Sequence, residues 1–297
     1  MKHLVKAMIA VPFLAVALAA QTQIVYIQNP TEVFKLFDEY GYTMQQWKEG
    51  IRVVPRIYIT TVPKRWQKNS EQMPVQKKKE LFFRLLAPAV LHANEMVMHQ
   101  RSQLKEIASK TRLGSADKAW LKEVAAEYGL QKETADEALI SELLLRVDAV
   151  PVSLALAQSA EESGWGTSRF AVLGNSLFGQ WDFSGKGMAP KEQRKALGDY
   201  GLARFNTPQD AVNAYLRNLN THPAYRELRQ KRAQMRADGQ PLSGYELAKT
   251  LSKYSERGQA YIDTLHGIMK HNKLAATDNA YLWDKGDIML APSPSKK

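Results

Sequence analysis

The chain has 297 residues, with 41 Lys and Arg against 30 Asp and Glu for a formal charge of +11, 44% hydrophobic residues and no cysteine. That balance excludes collagen-like, wholly disordered and disulfide-stapled classes, and it suffices for a core of ordinary size. A multi-span membrane protein is excluded too, because only the N-terminus carries a long uncharged run.

The N-terminus sets the expected compartment. Lys2 and Lys6 precede the apolar stretch Ala7 to Ala20, which closes on Ala17, Ala19 and Ala20. This reads as a secretory signal peptide over residues 1–20, with cleavage after Ala19 satisfying the small-x-small rule through Ala17. The competing reading is an uncleaved anchor continuing through Ile24, Val25 and Ile27, which would give the protein its one membrane contact. Loss of residues 1–20 leaves 39 basic against 30 acidic residues, a charge of +9. A cationic exported surface attracts anionic lipid or a carboxylate-bearing cell wall, and export makes nucleic acid the least fitting partner.

Residues 21 to 75 mix extended pieces with scattered prolines and read as a partly ordered N-terminal arm. From Val75 helical patterning begins: Leu81, Leu85 and Ala89 share a face, and Lys77, Lys78 and Lys79 before them read as a solvated helix start. A second helix is expected between an N-cap at Ser115 and a stop at Gly129. A third has Asp148 as a cap, Pro151 at the first helical position and Gly164 as its end. Phe170 to Phe205 is rich in Gly, Asn, Ser and Asp and reads as a loop and hairpin lobe. Thr207-Pro208 opens another helix with Val212, Tyr215, Leu216 and Leu219 on one face, followed by helices near Tyr245 to Lys253 and Gln259 to Lys273. The tail from Ala291 to Lys297 is expected to be disordered.

Several chemistries fail on spacing. The segment Gly179 to Gly187 has five residues between the glycines of a would-be phosphate loop, and Gly187 stands where Ser or Thr should follow the lysine. The six histidines form no His-Glu-x-x-His pair, so metal chemistry has no support, and no nucleotide motif calls for a cofactor. No Gly-x-Ser-x-Gly elbow provides an activated serine. What survives is Glu161-Glu162-Ser163-Gly164-Trp165-Gly166-Thr167-Ser168, followed by Gly174-Asn175-Ser176-Leu177-Phe178-Gly179. A carboxylate in the last turn of a helix faces the negative end of the macrodipole, and an apolar wall such as Trp165 would withhold water from it. Both effects favour the protonated form that a general acid needs. Helical period alone does not choose between Glu161 and Glu162.

These two motifs, in this order, resemble the signature of the bacterial glucosaminidases of glycoside hydrolase family 73, closest to its Bax-type branch. The resemblance runs from about Leu81 to Leu274 and includes Leu145 to Pro151, Asn218 to Tyr225 and Tyr254 to Tyr261. It implies a mainly α (α+β) fold, a lysozyme-like helical lobe with a small hairpin lobe across a substrate groove, in a domain over residues 76–275 followed by a tail over 276–297. It also implies that Glu162 is the catalytic acid, that Tyr254 assists near the cleaved bond, and that Tyr261 is a weaker helper or a packing residue. Trp165, Asn175 and Phe178 would shape the groove and hold sugar rings, the alternatives being a satisfied turn for Asn175 and core packing for Phe178. The sequence departs from the family at Gln180-Trp181, where many members have Ile-Lys or Met-Lys. Its second carboxylate has three candidates on the hairpin lobe: Asp182, Glu192 and Asp199.

The activity so implied is endo-β-N-acetylglucosaminidase action on peptidoglycan glycan strands, without a cofactor. Glu162 would protonate the departing oxygen, and the attack would come from water activated by a carboxylate about 6.5 to 9.5 Å away or from the substrate's own acetamido group. The rivals are a muramidase or lytic transglycosylase on the same substrate and a non-catalytic wall-binding protein.

Overall fold

The computed structural model describes residues 22–131, 134–190 and 200–294. The signal-peptide segment, Glu192, Asp199 and the last three residues of the tail therefore lie outside the described residues. In chain order the elements are β1 (Gln23–Ile27), α1 (Pro30–Glu39), α2 (Met44–Lys48), β2 (Val53–Val54), β3 (Ile57–Ile59), α3 (Trp66–Glu71), α4 (Val75–Ala108), α5 (Ser115–Glu127), α6 (Glu137–Arg146), α7 (Val152–Ser163) and α8 (Arg169–Gly174). There follow β4 (Trp181–Asp182), β5 (Gly201–Leu202), α9 (Pro208–Thr221), α10 (Arg226–Ala237), α11 (Gly244–Ala248), α12 (Gln259–His271), β6 (Tyr281–Leu282) and β7 (Ile288–Pro292). This is the mainly helical α+β architecture expected, with β4 and β5 forming a short antiparallel hairpin lobe.

At the centre lies α7, whose residues Val152 to Ala160 are all buried. A helix apolar on every side must be surrounded, and α4, α11 and α12 pack around it. Its N-terminus is held by a carboxylate distant in sequence. Asp278 accepts from the Ser153 amide (2.8 Å), the Ser153 hydroxyl (2.8 Å) and the Gly244 amide (3.0 Å), so one acid serves the first turns of both α7 and α11. The close approach requires Gly244, where a Cβ would fall 2.1 Å from Ser153 Oγ. At 34 residues α4 is long and apolar enough to cross a membrane, but 61% of its apolar window is buried against the rest of the protein. Its C-terminal half joins α5 and α6 in a second small core around Leu104, Leu121, Leu139 and Leu143.

Several local expectations meet the structure closely. Thr207 caps α9 through its hydroxyl and Pro208 occupies the first turn. The stops at Gly129 and Gly164 both have positive φ. α5 begins one residue earlier in its capping than expected: Gly114 is the cap, and the Asp117 carboxylate accepts its amide. Asp148 is not a cap at all but a buried carboxylate among arginines. The lysine run is only partly solvated, since Lys77 pairs with Glu80 and Lys79 lies over the Trp165 ring.

The larger differences are at the chain ends. The arm and the tail form one parallel sheet of order β1-β7-β3, with the tail strand in the middle. Ala291 and Pro292, expected to be disordered, pair with Tyr26 and Ile27, and the Ser293 amide donates to Ile27 O (3.0 Å). Parallel pairing across more than 200 residues leaves no local trace in either segment, and Pro292 can sit at a strand end where no further ladder amide is needed.

Candidate active site

The turn after α7 is the most constrained backbone in the described residues. Gly164 (φ 56°), Trp165 (φ 61°) and Gly166 (φ 75°) are consecutive left-handed residues, a genuine outlier for a residue as bulky as tryptophan. Surrounding bonds over-determine it. The buried Ser163 hydroxyl donates to Ser159 O (2.6 Å) and accepts from the Gly166 amide (2.8 Å), and the Ser168 amide returns to Ser163 O (2.9 Å). From the N-terminal arm, the Trp66 indole donates to Trp165 O (3.0 Å). The Trp165 ring itself packs on Phe82 and Phe83 of α4, with centroids 5.9 and 5.1 Å away.

Geometry separates the two acids that helical period could not. Glu161 is in an ion pair with Arg257, whose guanidinium also donates to Thr264 Oγ1 (2.7 Å). Glu162 has no ion pair among the described residues. Burial pushes its carboxyl above the usual range, helped by the neighbouring Glu161 charge and opposed by a hydrogen bond from Tyr261 and the more distant Arg257.

A directed relay stands behind that hydrogen bond. The Tyr215 hydroxyl donates to Gln158 Oε1 (2.7 Å), and Gln158 Nε2 donates to the Tyr261 hydroxyl (3.0 Å). With its oxygen already accepting from Gln158, the Tyr261 hydroxyl keeps its proton free for an acceptor, and Glu162 is the nearby carboxyl that acts on it. Gln158, Tyr215 and Tyr261 are all buried, and burial raises both tyrosines far above their ordinary values, so each stays a neutral donor.

The remaining candidates divide. Tyr261, read as a weaker helper or a packing residue, lies close enough to the acid to act on its carboxyl. The Tyr254 hydroxyl donates to Phe178 O (3.0 Å), while its ring stacks on Tyr261 (centroids 5.6 Å, 4° between planes). Through that bond Tyr254 holds the Leu177-Phe178-Gly179 segment against the acid. Gly179 (φ 62°) is packed so closely there that a Cβ would lie 2.8 Å from Glu162 Oε2.

Three expected sugar contacts are used by the fold. The Phe178 ring is buried against Tyr215 at 4.0 Å, which is core packing. The Asn175 side chain accepts from the Thr61 hydroxyl (3.0 Å) and the Val62 amide (2.8 Å) and donates to Phe205 O and Asn206 O (3.1 and 3.0 Å). It leaves nothing for a ligand and instead ties the arm, α8 and the segment before α9 together. Trp165 lies against α4 with Lys79 over its ring and stays half-buried, while Tyr261 and Tyr254 stand beside Glu162.

Sequence reasoning missed Gln158 and Tyr215. Gln158 lies one turn before Glu162 on α7, a polar residue in a helix otherwise buried on every side, and that was the available signal. Exposed aromatic faces occur on the hairpin instead, at Trp181 and Phe183, with Trp181 stacked on Tyr200 (4.8 Å). The hairpin acid Asp182 accepts from the Ser184 amide (2.7 Å), and the Ser184 hydroxyl, then its amide, hold the carboxyl below the usual range.

A helical lobe faced by a small hairpin, with a half-buried acid at the end of its central helix, has the layout of a lysozyme-like glycoside hydrolase. Comparison with known proteins agrees: residues 139–274 match the glucosaminidase family model, described as mannosyl-glycoprotein endo-beta-N-acetylglucosaminidase. Protein bax of Escherichia coli (strain K12) is 31% identical over 197 residues, covering 66% of this chain and 70% of that protein. No solved structure matches. The chain belongs to the Bax-type branch of the glucosaminidases of glycoside hydrolase family 73.

Proposed function

We propose that this chain is an exported endo-β-N-acetylglucosaminidase that hydrolyses peptidoglycan glycan strands, with Glu162 as its general acid. The observation that carries the reading is the state of that side chain: half-buried, free of any ion pair among the described residues, raised above the ordinary carboxyl range by desolvation, and set beside the Tyr261 hydroxyl. A carboxyl raised in this way holds its proton to higher pH than an exposed one and can deliver it to the departing glycosidic oxygen. As the proton leaves, the carboxylate that forms is stabilised by the Tyr261 hydroxyl, whose orientation Gln158 and Tyr215 have already fixed. The transition state is oxocarbenium-like.

The hairpin supplies Asp182 and the exposed rings of Trp181 and Phe183 on the same short lobe. Aromatic faces of that kind suit the apolar faces of sugars. Export is supported by Lys2, Lys6 and the apolar stretch Ala7 to Ala20, and the charge of +11 suits a carboxylate-bearing wall.

The experiment is mass spectrometry of soluble fragments released from purified sacculi, with Glu162→Gln run alongside. Reducing N-acetylglucosamine ends, absent with the variant, are the expected result. Muramic or anhydro-muramic ends would change the bond cleaved, and undiminished release by the variant would remove Glu162 from the mechanism. The anomer of the first product, read by NMR, separates the routes: inversion points to carboxylate-activated water, retention to the substrate's acetamido group.

A further inference from the structure

A cavity of about 960 Å³ lies between the N-terminal arm, α4, α8 and β7, and reaches Gly166 and Leu177 behind the active-site turn. Close-packed interiors leave few voids larger than a water molecule, and this one is at the upper end of the range of ligand sites. Its walls are mainly apolar, with Ile59 and Val62 from the arm, Leu81, Phe82 and Leu85 from α4 and Leu173 from α8, while Asn29, Thr61 and Asn69 add polar groups.

The charge of the lining is one-sided. Among the described residues it includes Lys64, Arg65 and Arg204 and no Asp or Glu. All three cations are exposed, so they stand at the solvent side of the cavity. Arg204 donates to Leu173 O (2.6 Å), which places its guanidinium beside the half-exposed Leu173, and Lys64 and Arg65 have no ion pair among the described residues. An apolar chamber with an uncompensated cationic rim is complementary to one chemistry, an alkyl chain ending in an anion.

The geometry points to a second binding site in this protein, for a single-chain anionic amphiphile of the long-chain fatty acid type, with its chain in the cavity and its carboxylate at Lys64, Arg65 and Arg204. The cavity shares Gly166 and Leu177 with the segments around Glu162 but no residue of the Glu162 relay, so the proposal is tested by binding and not by glycan cleavage. Chain burial sets how affinity scales: each added CH₂ that enters the cavity tightens binding about fourfold, until the cavity is full. The rim sets head-group preference and makes binding sensitive to salt.

The test is calorimetric titration of the full chain with octanoate, decanoate, dodecanoate and tetradecanoate below their micellar concentrations, with the matching fatty alcohols as neutral controls. Affinity should climb with chain length, and each acid should bind more tightly than its alcohol. The double substitution Lys64→Gln and Arg65→Gln lies on exposed side chains and should weaken the acids while leaving the alcohols unchanged. Leu85→Trp, which fills the chamber, should weaken both, with circular dichroism confirming its fold. Binding that ignores chain length, equal binding of acid and alcohol, or unchanged binding by the rim variant would each overturn the assignment. Absence of binding by the full chain would also overturn it, whether the cavity is then filled by the chain's own N-terminal segment or by a second copy.

Discussion

Two carboxyls at the ends of α7, one buried and one half-buried, are driven to opposite states by their neighbours. Asp148, just before the helix, is 2% exposed and faces Arg101, Arg232 and Arg236. Burial alone would raise its carboxyl, but the hydrogen bonds from Arg236 and the charges of Arg232 and Arg101 hold it below the ordinary range. Glu162, at the other end, has tyrosines where Asp148 has arginines, and burial raises it. Burial opposes ionisation at both positions, so partner type decides the outcome. Cations make a permanent anion that ties α4, α7 and α10 together, whereas neutral donors leave a proton available for chemistry.

The contrast breaks most visibly at Glu162→Gln. Loss of a general acid should lower kcat by about 10²- to 10⁴-fold, measured on sacculi or a soluble glycan. The fold should gain from the same change. Because the folded-state carboxyl lies above its unfolded value, ionisation opposes folding, and wild-type stability falls as pH rises from the unfolded value through the folded one. Thermal melts should therefore favour the Gln variant at neutral pH, and the advantage should vanish below about pH 4, where both states are protonated.

Asp148→Asn should give the opposite pattern. Arg232 is fully buried and donates to Asp148 O, Ala149 O and Asn220 Oδ1, and these bonds do not replace the lost charge. Removing one partner of a buried ion cluster costs about 3 to 5 kcal/mol, readable by urea denaturation at pH 7. Since the folded Asp148 lies below its unfolded value, its stabilisation is present above about pH 4 and is lost as pH falls through the folded value. The gap between variant and wild type should close in acid. A large activity loss with an unchanged urea midpoint would mean that this cluster serves the reaction rather than the fold.

Gly179→Ala tests how tightly the acid is held from the groove side. The new Cβ would sit 2.8 Å from Glu162 Oε2, so the carboxyl or the segment must move. A displacement near 1 Å costs on the order of 10²-fold in rate. The left-handed φ adds a stability cost of about 1 kcal/mol. Activity falling no further than the stability loss explains would show that the segment can yield.

What the sequence disclosed follows the same division between local and tertiary causes. Thr207-Pro208, Gly129 and Gly164 announce helix ends by their own backbone chemistry, and α7 was legible from its run of small apolar residues. Glu162 could be chosen over Glu161 only by likeness to a family, because Arg257, which claims Glu161, is 96 residues away in sequence. Asn175 and Phe178 carry the strongest part of the motif, yet their partners, Thr61, Val62 and Tyr215, come from other parts of the chain. A motif therefore marked residues needed to build the site as readily as residues that face it. The sheet joining β1, β3 and β7 had no local signal, and with it the cavity stayed hidden.

The relay gives the smallest and most discriminating test. Tyr261→Phe removes the one hydrogen bond that lowers the Glu162 carboxyl, so that carboxyl should rise further and the alkaline limb of kcat/KM should move to higher pH. The rate should still fall by about 10- to 100-fold, because the carboxylate formed in the transition state loses a donor worth roughly 1.5 to 3 kcal/mol. Gln158→Met keeps the Tyr261 hydroxyl but frees its orientation. That change should cost only about fivefold, in line with roughly 1 kcal/mol for a neutral hydrogen bond, with the alkaline limb shifted the same way but less. If Gln158 merely packs, its variant will lose stability with no movement of the pH profile. If it aims the Tyr261 proton at Glu162, the profile will move even where the melting temperature does not, and the double variant with Tyr261→Phe will add nothing further.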